Sequence, residues 1–67
     1  MKIALHAQIE EVDRELRLRK DVYEIAISKG KMRRSVADHH LDRMEAVRAT
    51  LVWLQDNEAM IKARLAQ

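Results

Sequence analysis

The chain has 67 residues, 48% hydrophobic and 36% charged, with 13 Lys and Arg against 11 Asp and Glu for a formal net charge of +2. The absence of cysteine excludes disulfides, thiolate nucleophiles and cysteine-ligated zinc, and no apolar run approaches the roughly 20 residues of a membrane-spanning helix. The apolar content is too high for a disordered tail, and a chain this short makes a single domain, 1–67, whose modest core leaves oligomerisation as the common remaining source of stability.

At the N-terminus, MKIALHAQIEE has one lysine and an apolar stretch cut short at His6. That is not the core of a signal peptide, so a cytoplasmic location is expected. Leu5, Ile9, Val12, Leu16, Tyr23 and Ala26 then recur at spacings of 4, 3, 4, 7 and 3, a heptad-type stripe interrupted at Arg19. The stripe predicts a first helix over about residues 3–29. Glu10/Arg14, Asp13/Arg17, Glu15/Arg19 and Lys20/Glu24 stand at i,i+4 and read as a solvated, salt-bridged face.

Gly30 is the only glycine and stands where a left-handed residue closes a helix. Ser35-Val-Ala-Asp38 reads as an N-cap with an N3 carboxylate, which sets the turn at 30–35 and the second helix at about 36–66. Along that helix Ala37, His40, Met44, Val47, Leu51, Leu54, Glu58, Ile61 and Leu65 alternate at spacings of 3 and 4. A short connection makes the two helices antiparallel neighbours. The predicted fold is therefore all-α, a coiled-coil-like two-helix hairpin in which Tyr23 meets His40, Leu16 meets Met44 or Val47, and Ile9 meets Leu54.

One hairpin cannot cover its apolar residues. Leu18, Val22 and Ile25 lie off the stripe of the first helix, and Val52, Trp53, Ala59 and Met60 off that of the second. Leu18, Val22, Ile25, Val52, Trp53 and Met60 are accordingly the expected oligomer interface, with a dimeric four-helix bundle the economical way to bury it.

Charge is uneven: residues 14–34 carry eight basic and three acidic residues, net +5, and the remainder sums to −3. Lys29, Lys31, Arg33 and Arg34 crowd the turn and are the candidate contacts for nucleic acid or an acidic partner. Single-strand readers also use stacking aromatics, and the only two, Tyr23 and Trp53, are accounted for by hydrophobic interfaces. Arg33 and Arg34, just ahead of a helix N-terminus, are electrostatically misplaced unless they reach back to the end of the first helix.

Catalytic and metal chemistry find little support. In Asp38-His-His-Leu-Asp42 the two histidines point about 100° apart, so they do not converge on one ion. Glu58 interrupts the apolar stripe opposite Leu5, where Lys2, His6 or Lys62 can neutralise it. No enzyme activity, metal or cofactor is expected.

Three resemblances bear on this reading. IEEVDRELRLRKDVYEIAISKGK resembles the first helix of the helical chorismate mutases over about a third of the chain. That family needs a third helix and several catalytic cations, and its activity is not expected here. The hairpin-dimer architecture resembles that of the plasmid RNA-binding Rop family, which implies RNA binding only as an alternative. GKMRRSVADHHLDRMEAVRATLVWLQ looks like short uncharacterised proteins of proteobacteria and their prophages, with G-K-M, an acidic-His turn and R-M-E-A-V-x-x-T-L-x-W-L. This resemblance implies a phage-associated accessory protein that binds a host or phage protein, and it transfers no site residues. The leading expectation is a non-enzymatic, self-associating interaction or adaptor protein; the alternative is a nucleic-acid-binding accessory factor using the basic turn.

Overall fold

Residues 2–66 are described by the structure, a computed structural model. Two helices, α1 (Leu5–Ser28) and α2 (Arg34–Leu65), pack antiparallel as the all-α hairpin expected from the two stripes. Among the described residues no helix is long and apolar enough to cross a membrane. The molecule is a rod of 56 × 21 × 16 Å. Its radius of gyration is 16.1 Å, against about 11 Å for a compact domain of this length.

The C-terminus of α1 closes as its sequence dictates. Gly30 takes φ 70°, the Gly30 amide donates to the Ile27 carbonyl at 3.0 Å, and the Lys31 amide donates to that of Ala26 at 2.9 Å. These are the two hydrogen bonds of a Schellman motif, which satisfy carbonyls the helix leaves orphaned. A Cβ on Gly30 would meet nothing within 4 Å. The demand for glycine at this position is therefore one of backbone angle alone.

The N-termini differ from expectation. α1 starts at Leu5 rather than residue 3, after an extended Ala4, and Gln8 Nε2 pins the preceding segment by donating to the Ile3 carbonyl at 2.9 Å. α2 starts at Arg34 rather than Val36, with an extended Arg33 in the N-cap position and no side-chain cap. Ser35 thus does not cap, and its box with Asp38 is not formed. A capping serine must keep a non-helical backbone, whereas Arg34 and Ser35 are already helical because Arg34 reaches back to α1: its Nη1 and Nη2 donate to Glu24 Oε1 and Oε2 at 3.2 and 3.3 Å. The helix thus starts ahead of the local capping signal, with Arg34 turned back to α1.

The core is thin. Among the described residues Ile9, Leu16 and Ala37 are the buried hydrophobic ones, and no large side chain is fully enclosed. Ala37, 1% exposed, lets the helices approach closely beside the turn. On α1 the stripe is the one expected, with Leu5, Val12, Arg19, Tyr23 and Ala26 half-buried around Ile9 and Leu16. On α2 Ala37, Met44, Leu51, Leu54, Glu58 and Ile61 keep their expected places, but between them the stripe is rotated: Leu41 and Arg48 are half-buried, while His40 and Val47, both expected in the seam, are exposed. Leu65 lies outside it, too.

A Gly30→Ala chain is expected to lose about 1–2 kcal/mol of stability, the cost of a left-handed conformation for an L-residue. Ser35→Ala should leave stability unchanged. Denaturant titration checks both: an unmoved midpoint for the first, or a loss near 1 kcal/mol typical of a removed cap for the second, would contradict the turn described.

Candidate interaction surfaces

Among the described residues two ion pairs join the helices, and both lie on one flank of the hairpin. Arg48 Nε donates to Asp13 Oδ1 at 2.6 Å and its Nη2 reaches Oδ2 at 3.4 Å; the Glu24–Arg34 fork lies nearer the turn. Residues 13 and 48 are thereby level, which fixes the antiparallel register, and Tyr23 and His40 meet as expected, their rings 6.3 Å apart. The hydrogen bond from Arg48 holds the Asp13 carboxyl below its ordinary 3.8. A shallow depression on this flank is lined by Asp13, Arg17, Lys20, Glu45 and Arg48 around Leu16. This is the polar flank.

The expected i,i+4 network is only partly formed. Glu15 and Arg19 pair at 3.2 Å, but Arg14 turns to Glu11, and Asp13 and Glu24 are taken by α2. The hydrogen bond to Arg14 lowers the Glu11 pKa. These exposed pairs set side-chain geometry more than stability.

The opposite flank is apolar. Near the open end a groove of about 1290 Å³ runs between the helices, its floor formed by Leu5, Val12, Val47 and Leu51 and its rim by Lys2, Glu11, Glu58 and Lys62. Val47 is 49% exposed there. Helical spacing carries the line on along α2 through Leu54 and Ile61 to Leu65, which is 80% exposed. Glu58 receives Lys62 Nζ at 2.8 Å, and that hydrogen bond holds its carboxyl below the ordinary 4.5. Of the three neutralising groups expected, Lys62 makes the bond, and the carboxylate stays charged.

The six expected interface residues are not brought together. Leu18, Val22, Ile25, Trp53 and Met60 are exposed, while Val52 is half-buried against the hairpin. Leu18 stands two residues past buried Leu16, a rotation of about 200°, so it, Val22 and Ile25 lie on the back of α1. Trp53 stands likewise past Leu51, so it and Met60 lie on the back of α2. The register puts Trp53 level with Gln8, and Val22 lies about 21 Å further along α1. They form two separate patches, and the groove flank was not among the expected surfaces.

The turn residues separate as well. Lys29, Lys31 and Arg33 are exposed and have no carboxylate partner among the described residues, whereas Arg34 belongs to α2 and is committed to Glu24. The expected return of an arginine to the end of α1 is made by Arg34, to a side chain rather than to the last carbonyls. His39 and His40 lie edge to face at 5.9 Å, and among the described residues no three His, Asp or Glu groups gather to hold a metal. Compared with protein-family models, curated proteins and solved structures, the chain matches none of them.

Arg48→Met should lower the thermal midpoint at pH 7, because the lost hydrogen bond is what depresses Asp13. An acid whose folded pKa is depressed stabilises above its unfolded value, here about 3.8, and that contribution disappears as pH falls through the lower folded value. The gap between variant and parent should therefore narrow as pH falls below the 3.8 reference. A gap independent of pH in circular-dichroism melts would contradict the pairing.

Proposed function

We propose that the protein is a non-enzymatic interaction module: a helical hairpin that associates with itself and presents its outward faces to another protein. The observation that carries this reading is the near absence of a core. The chain exposes 5529 Å², where a compact monomer of 7.9 kDa would expose about 4,400 Å². The excess, about 1,100 Å², exceeds the roughly 800 Å² per partner of a standard interface. Self-association is the economical way to cover it. Glu58 is a charged carboxylate paired with Lys62, and among the described residues no metal-holding group of His, Asp and Glu forms around the histidines. The separate patches on the helix backs, around Val22 and around Trp53, remain outward in such an assembly and suit a partner protein, in keeping with the resemblance to short prophage proteins.

A second reading rests on Lys29, Lys31 and Arg33, three exposed cations on one turn with no carboxylate partner among the described residues. It makes the same scaffold a presenter of basic turns to nucleic acid.

The first reading predicts an unfolding midpoint that rises with protein concentration, since dissociation and unfolding are then linked. A midpoint constant over a hundredfold range of concentration would refute it. The second predicts nucleic-acid affinity that falls steeply with salt, with Lys31→Ala reducing the log–log slope by about one. Salt-insensitive binding, or a slope unaffected by the substitution, would dismiss it.

A further inference from the structure

We infer that a second copy of this chain fills the apolar groove and lies antiparallel to the first, so that each turn covers the other's open end. This inference rests on the self-association proposed above and specifies its surface and its orientation.

The surface follows from how the hairpin sorts its side chains. The polar flank has its charges tied across the middle of the seam by Asp13–Arg48 and Glu24–Arg34; burying it would desolvate both pairs, whereas the groove's own pairs, Glu58–Lys62 and Glu11–Arg14, stand on its rim and can stay hydrated. On the groove flank, Val47 and Leu65 are exposed, and Leu51, Leu54 and Ile61, in the same line, are only half-buried by their own chain. The excess of exposed surface, about 1,100 Å² over a compact monomer, is enough for one partner on this flank.

Two features fix the orientation. The first is unequal helix length. α2 has 32 residues and α1 has 24, and with residues 13 and 48 level, the last two turns of α2 overhang the start of α1. If both turns lay at one end, α2 of each copy would lie along the shorter α1 of the other, and the overhangs, with Leu65, would project beyond it with only each other to meet. With the turns at opposite ends, α2 runs along the partner's α2 over its full length. Each overhang then reaches the partner's turn, where exposed Val36 is available to it.

The second feature is charge. Residues 14–48, the half bearing the turn, carry ten Lys and Arg and six Asp and Glu, net +4; the open half, residues 1–13 and 49–67, carries three and five, net −2. Opposite ends together set +4 against −2 at both ends of the bundle. Like ends together would set +4 against +4. The isologous two-fold then crosses the middle of α2, and Val47 lies close to its own copy.

The chain has no cysteine, so Lys31→Cys gives one spin label per copy at the exposed turn without touching the groove. Pulsed dipolar spectroscopy should give a label separation on the order of 50 Å, twice the rise from mid-α2 to the turn. A separation of about 20 Å, the spacing of neighbouring helices plus label reach, would overturn the antiparallel orientation and leave self-association standing. Loss of dipolar modulation at micromolar concentration would overturn both. Val47→Glu should abolish the modulation, whereas Leu18→Glu should not; the reverse pattern would move the interface to the helix backs and refute the groove.

Discussion

Two helices touching along one line can shield only the residues on that line, and every other feature of this molecule follows from that limit. The contact between α1 and α2 buries Ile9, Leu16 and Ala37 and half-covers their neighbours. At about 25 cal/mol per Å² of apolar surface removed from water, such a seam is a weak opponent to the conformational entropy of 67 residues. The local devices reduce that cost without replacing a core. The Schellman closure at Gly30 holds the turn, and the arginine forks of Arg34 and Arg48 hold the register.

Those forks also divide the surface. An arginine that pairs across the hairpin must lie at the edge of the seam, where its guanidinium remains partly hydrated, and both Arg34 and Arg48 choose the same edge. Charge therefore collects on one flank, and the apolar residues that α2 cannot turn squarely toward α1 collect on the other. The groove over Val12, Val47 and Leu51 is the result. Its rim charges, Glu58 with Lys62 and Glu11 with Arg14, are paired within their own helices. They do not compete for the groove floor.

Much of the fold was legible because it depends on periodicity and on one glycine. Spacings of 3 and 4 locate both helices, and Gly30 locates the turn. What the sequence concealed are the places where a contact between helices outweighs a local preference. Ser35 is a good cap by its own chemistry, yet Arg34 draws the helix start ahead of it. Asp13 and Glu24 have suitable partners at i,i+4, yet each binds an arginine on α2, because a fork between two helices satisfies both carboxylate oxygens. The rotation that exposes Val47 and half-buries Arg48 is of the same kind: apolar spacing gives the width of the stripe but not the side of it that meets the partner helix. The two exposed patches on the helix backs were legible as apolar residues and not as separate places, since their distance depends on the register. The signal for the groove was present in the long α2 stripe, which is broader than one neighbour of 24 residues can cover.

The central claim is that this hairpin is completed by another copy of itself. Sedimentation equilibrium of the unmodified chain at micromolar concentration, under conditions where it is fully helical, tests it most directly. The expected result is twice the 7.9 kDa of the single chain. A helical species sedimenting as a monomer at that concentration would contradict it.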